Sequence, residues 1–151
     1  MTPQSTQIFK MLEHDHQIVK SLFKSMKSKK SDHDNIFEQI SKELTVHFSG
    51  EEELLYPVLE EKGPTHEKTL ESWEEHNYAK EVLKDLKGMN KQDEHWQAKL
   101  TVLQEMVEHH IQEEEGILFK QAQKVIDKAQ SDEIGRRYHE KKEQMNGPMK
   151  S

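Results

Sequence analysis

The feature that most constrains this chain is a short string that occurs twice. Residues 47–56 read HFSGEEELLY and residues 110–119 read HIQEEEGILF. In each, a glutamate follows a histidine by four residues, in a run whose apolar residues otherwise recur at helical spacing. On a wheel turning roughly 100° per residue, Ile36, Ile40, Leu44, Leu54 and Val58 share one sector, and His47 and Glu51 fall inside it. Downstream, Leu100, Leu103, Val107, Ile117 and Leu118 define a matching sector that contains His110 and Glu114 but not His109. An ionised carboxylate in an apolar interior costs several kcal/mol even after relaxation. Any fold for this chain must therefore compensate two inward glutamates, and no lysine or arginine is in phase to do so.

Two further stretches complete the pattern. Leu12, Val19, Phe23 and Met26 make one apolar face with His16 at its edge and His14 pointing away; Trp73, Ala79, Leu83 and Leu86 make another with His76 among them. HQIVKSLFK (16–24) and HNYAKEVLK (76–84) match each other, just as the two glutamate strings do. Each half of the chain is thus a helical hairpin carrying His and then His-x-x-x-Glu. A pseudo-two-fold bundle brings four histidines and two glutamates to one centre. Divalent cations supply the missing charge, since groups at i and i+4 share a helix face and can reach one ion. Imidazole with carboxylate suits iron, manganese or zinc, and opposed carboxylates from two helices can bridge two ions.

The bland alternative is a plain bundle with hydrogen-bonded His–Glu pairs. A single H-x-x-x-E means little among 29 acidic residues; the duplication with inward phase favours metal. His14, His33, His66, His95, His109 and His139 are expected on the surface or in loops. Met11, Met26 and Met106 read as core fillers. Trp73, Trp96, Tyr56 and Phe119 read as packing residues, with Tyr56 and Phe119, placed alike in the two halves, as walls of the pocket. Glu52, Glu53, Glu113 and Glu115 read as solvated or as outer partners, and spacing does not identify which acceptors hold the imidazoles.

The elements follow from caps and breakers. Ser5 or Thr6 opens a first helix to about Lys29. Asp32 or Asp34 opens a second to about Glu61, with a kink expected at Pro57. Gly63 is expected as a C′ residue and Thr65 as the next cap, opening a third helix to about Lys87. A fourth runs from about Glu94 to Lys128, and QSDE starts a short fifth with Arg136, Arg137 and Tyr138; the last residues, NGPMKS, are expected to fray. The fold class is all-α: an up-down-up-down four-helix bundle with a short C-terminal fifth helix, in one domain over 1–151 (core about 5–130, closing helix about 131–145). With 34% charged and 32% hydrophobic residues the helices carry solvated outer faces. A net charge of −7 argues against nucleic acid or an anionic membrane as partner. No run is long enough to span a bilayer and none resembles a signal peptide, so a cytoplasmic location is expected. Cysteine is absent, which excludes disulfides, thiolate catalysis and zinc–thiolate sites.

These residues resemble a known family. The DH of the first helix, HFSGEEELLYP, the EEH of the third and HHIQEEEGILF look like the hemerythrin-like, HHE cation-binding domain over about residues 5–130, and SDEIGRRYHEKK resembles its short closing helix. The resemblance implies a four-helix bundle with a non-haem di-iron centre, oxo- or hydroxo- and carboxylate-bridged, that binds O2 or a related small molecule. Carried over position by position, the metal ligands are His16, His47, Glu51, His76, His110 and Glu114. Oxygen-carrying hemerythrins have a second histidine one turn away on the third helix, where this chain has Ser72 and Lys80. They also have an aspartate five residues after the fourth-helix histidine, where this chain has Glu115 and the expected ligand is Glu114. Both departures point from simple reversible oxygen carriage toward reactivity or sensing, because one ion would keep a more open position. The iron–sulfur repair members carry an N-terminal cysteine segment that is missing here. Two other functions remain open: peroxide or NO detoxification by the same centre, and an iron- or oxygen-responsive module in which the fifth helix reads the state of the metal.

Overall fold

A computed structural model describes residues 7–28 and 32–146. The expected caps Ser5 and Thr6 and most of the tail NGPMKS lie outside these residues. The described chain is helical, with no strand: α1 (Ile8–Ser25), α2 (His33–Gly50), α3 (Tyr56–Glu60), α4 (His66–Gly88), α5 (Glu94–Glu113), α6 (Phe119–Val125) and α7 (Lys128–Asn146). α2 continues into α3 through a π-helical segment, Glu51–Leu55, and α5 into α6 through another, Glu114–Leu118. Four rods result, α1, α2–α3, α4 and α5–α6, with α7 laid against α1, α2 and the first π segment.

Local chemistry sets most of the ends. The Asp32 carboxylate accepts from the Asn35 N–H at 3.1 Å and opens α2; Asp93 accepts from the His95 N–H at 2.8 Å and opens α5. Thr65 does not cap as expected. Its hydroxyl donates back to the Leu59 carbonyl at 2.6 Å, tying α3 to the start of α4. Gly63 is no left-handed C′ residue either: the turn is a 3-10 segment, Gly63–Thr65, and no described residue has positive φ. The fourth rod stops at Val125, where the buried Ile126 adopts extended backbone. Asp127 then accepts from the Gln130 N–H at 2.8 Å, so α7 starts three residues before the expected Ser131.

Pro57 is not required for the irregularity in its rod. The π segment begins before it, and the Tyr56 N–H reaches back to the Glu51 carbonyl. The second π segment repeats this from Phe119 to Glu114 with no proline nearby. A π turn holds one residue more than an α turn, so it advances the buried face by about one position. Tyr56 and Phe119 are fully buried for that reason, beside Leu55 and Leu118; Leu54 is half-buried, and Ile117, expected inside, is 40% exposed.

The core has two apolar layers. One gathers Phe23, Phe37, Ile40, Leu44, Trp96 and Leu103. The other gathers Phe9, Leu12, Leu55, Leu59, Leu118 and Tyr138. A polar layer lies between them, with His16, His47, Glu51, His76, His110 and Glu114 all buried. Each large apolar side chain in the flanking layers contributes about 1.5–3 kcal/mol on burial. Two such layers outweigh the several kcal/mol per ion that the buried charges cost.

Candidate metal centre

α1 and α4 each aim one histidine into the polar layer, and the rods α2–α3 and α5–α6 each aim a histidine and the glutamate one turn on. The six expected residues all meet there, in two groups that share both glutamates. His16, His47, Glu51 and Glu114 form one; His76, His110, Glu51 and Glu114 form the other. Within each group one donor atom per residue lies within 4.8 Å of every other. Each glutamate splits its oxygens between the groups. Glu51 Oε2 faces His47 Nε2 at 3.4 Å, and its Oε1 faces His76 Nε2 at 3.0 Å. Glu114 Oε1 faces His16 Nε2 at 3.3 Å, and its Oε2 faces His110 Nε2 at 3.3 Å.

The π segments start at these two glutamates. They let His47 and Glu51, or His110 and Glu114, keep α-helical i, i+4 spacing while the rod beyond is re-phased, so Tyr56 turns inward. Its hydroxyl donates to Glu114 and, at 3.2 Å, to Glu51 Oε1, and stands 3.2 Å from His76 Nε2 and 3.4 Å from His110 Nε2. The sequence marks Tyr56 only as a wall; in the structure it places an oxygen inside the second group, at the position that the missing imidazole leaves open. In the other half the matching residue, Phe119, stacks on the His16 ring at 6.0 Å and offers no oxygen.

Every imidazole is held from behind by a carboxylate on Nδ1. Glu115 holds His16 at 2.6 Å, Asp15 holds His47 at 3.2 Å, Glu52 holds His76 at 2.8 Å, and Glu75 holds His110 at 2.6 Å. The arrangement obeys the repeat. The acid just before the histidine of α1 or α4 serves the next rod; the acid just after Glu51 or Glu114 serves a histidine of the opposite hairpin. The adjacent letters DH, EH and EE were the available signal. Glu53 and Glu113 instead pair with Lys141 and Lys68. His14, His66, His95, His109 and His139 are exposed and His33 is half-buried, all away from the centre.

Left to themselves these charges compensate one another. Burial alone would depress the His47 imidazole, but the Glu51 and Asp15 carboxylates raise it to about 10. Against the same burial, Glu114, Glu51 and Glu75 push His110 well above its ordinary value, and Glu114 and Glu115 raise His16. Burial would raise the Glu51 carboxyl, yet His47, His110 and His76 hold it well below the usual range. Burial and the Glu51 charge both work against Glu114, and His110 and His16 still keep it low. Burial and the two carboxylates drive the Tyr56 hydroxyl well up.

The donor set fits a cation on one observation above all. Four buried atoms, His16 Nε2, His47 Nε2, Glu51 Oε2 and Glu114 Oε1, face one another with no hydrogen-bond partner. Buried polar atoms are rarely left so, and a cation among them satisfies all four. Residues 3–122 match the hemerythrin HHE cation-binding domain. The chain belongs to the hemerythrin HHE family. Its fold is similar to the crystal structure of a hemerythrin HHE cation-binding domain-containing protein from Mycobacterium kansasii, the Rv2633c homolog. The TM-score is 0.80 at 23% identity, over 94% of this chain and 88% of that one. No curated protein matches the chain. As an HHE domain it is a metal-binding helical bundle, and no described helix is long and apolar enough to cross a membrane.

Proposed function

We propose that this HHE domain holds two iron ions bridged by Glu51 and Glu114, and that it binds O2 or a related small oxidant. His16 and His47 complete one side; His76, His110 and the Tyr56 oxygen complete the other. The observation that carries this reading is the pair of buried donor groups that share Glu51 and Glu114, with four atoms on the His16–His47 side that no hydrogen bond satisfies. Iron suits a set of imidazoles and carboxylates and supplies the redox chemistry that O2 requires. The residues do the rest. The Nδ1 carboxylates fix each ring so that Nε2 points inward. Phe119 and the apolar layers keep the His16–His47 side dry. Because Phe119 brings no oxygen where Tyr56 does, the position open to a small ligand lies on that side. Loading the protein anaerobically with ferrous iron tests the proposal: two irons per chain are expected, and one or fewer refutes it. Exposure to air should then give an oxo-bridged di-iron spectrum with a phenolate band that Tyr56→Phe removes.

A second reading, turnover of peroxide or NO, draws support from Tyr56, whose proton sits among the donor atoms of the centre. It requires steady consumption of hydrogen peroxide or NO by the iron-loaded protein, abolished in His110→Ala. Failure to turn over either compound leaves the binding reading in place.

A further inference from the structure

The four carboxylates behind the histidines are not equivalent. The Glu52 side chain is 15% exposed and those of Glu75 and Glu115 are 29% exposed, each at the rim of the bundle; Asp15 is 2% exposed. What covers Asp15 is α7. The Tyr138 hydroxyl donates to Asp15 Oδ2 and lies 3.4 Å from His47 Nδ1, while the Lys142 ammonium donates to Asp15 Oδ1 at 2.7 Å and sits 5.3 Å from the centroid of the Tyr138 ring. Tyr138 is fully buried, although it comes from the last helix and reaches a residue 123 positions away. Its ring occupies a seat made by a missing side chain: a Cβ at Gly50 would stand 2.1 Å from Tyr138 Cε1. Gly50 immediately precedes Glu51, so the helix that supplies a histidine and a bridging glutamate is also the floor of the α7 seat. Among the described residues nothing in the other half corresponds. The position matching Gly50 is Glu113, paired with Lys68, and the acid matching Asp15 is Glu75, near the surface.

We propose that Tyr138 and Lys142 of α7 are positioning residues for one of the two metal positions, that of His16 and His47, so that docking of the C-terminal helix and loading of that position stabilise each other. Asp15 can orient the His47 ring only while it is itself held, and both groups holding it, besides His47, belong to α7. Removing the Tyr138 hydroxyl leaves Asp15 free to turn toward Lys142 and loosens His47. The position of His76 and His110 meets this network through the shared Glu51, but its own rings are held by Glu52 and Glu75, so it keeps its ion. By linkage, an ion at the His47 position must hold α7 down by the same factor that α7 favours the ion.

The inference rests on the paired-metal reading above, and the test separates the two. Ferrous iron is titrated anaerobically into the whole 151-residue chain by calorimetry. Wild type should take two ions; fewer than two overturns the paired reading and this inference with it. Tyr138→Phe should keep one ion at wild-type affinity and bind the other about 10- to 100-fold more weakly, the usual cost of losing an outer partner. A merely structural role would lower the melting temperature of the metal-free variant without splitting the two ions. Lys142→Met is the companion variant should the phenylalanine variant fail to fold, and it should weaken the same single ion. In wild type, iron should slow hydrogen exchange of the α7 amides. Two wild-type affinities in the folded variants, equal weakening of both ions, or α7 exchange indifferent to iron each overturn the proposal.

Discussion

At the scale of single residues, Glu51 and Glu114 carry more than their neighbours because each divides two oxygens between two groups of donors. Glu51→Gln keeps the shape and removes the charge. A hydrogen-bonded His–Glu pair would tolerate that exchange. A shared ligand would not: iron retained after desalting should fall from two per chain to below one, with wild-type retention in the variant contradicting the bridging role. The paired charges also set a pH dependence. His47 is raised from 6.5 to about 10, so the stability it contributes is fully present below about pH 6.5 and is lost as pH rises through about 10. Asp15 is lowered: burial would raise it, but His47 and Lys142 hold it at about 2 against an ordinary 3.8. Its contribution is present above about pH 3.8 and fades as pH falls toward 2. Metal-free protein should therefore melt highest between about pH 4 and 6.5 and lose stability toward pH 10. Iron binding should release protons near pH 7, since raised imidazoles must give them up to coordinate. Calorimetry in buffers of different ionisation enthalpy measures that release, and none would contradict it.

At the scale of elements, the two π segments do the re-phasing that a regular helix cannot. They leave Glu51 and Glu114 inward with their histidines, then bring Tyr56 and Phe119 to the core, where an unbroken helix would turn them away. The two glycines beside them have opposite roles. At Gly116 an added Cβ meets nothing within 4 Å, so Gly116→Ala should stabilise by about 0.5–1 kcal/mol, the ordinary helical gain. At Gly50 the same change drives a methyl into the buried Tyr138 ring, and Gly50→Ala should cost a net of about 1–3 kcal/mol, as overpacking does. Urea unfolding of the two metal-free variants compares them directly; shifts of the same sign would show that the ring is not seated against Gly50.

At the scale of the whole molecule, the centre joins all four rods, so loading it should stiffen the entire bundle. With free metal at about 100 times Kd, each ion adds about 2.7 kcal/mol. At about 2–4 °C per kcal/mol for a chain of this size, that raises Tm by about 5–10 °C per ion. A chelator should reverse the gain, and an unchanged melting curve would count against both positions. Much of this architecture was legible beforehand. The helices, their order and the six inward His and Glu residues follow from apolar spacing and from a repeat whose two copies agree in phase. Those are local properties: a residue's place on a helix face depends only on its distance along the chain from its neighbours. What the sequence alone could not determine is whatever depends on which rod lies next to which. The inward turn of Tyr56 and the outward turn of Ile117 come from π segments whose extra residue has no marker in the letters, and the second segment forms with no proline near it. The carboxylates behind the histidines sit on other helices, from 24 to 99 residues away, and Tyr138 reaches Asp15 from 123 away. Such partners are chosen when the rods pack, because only then do buried charges have to find one another.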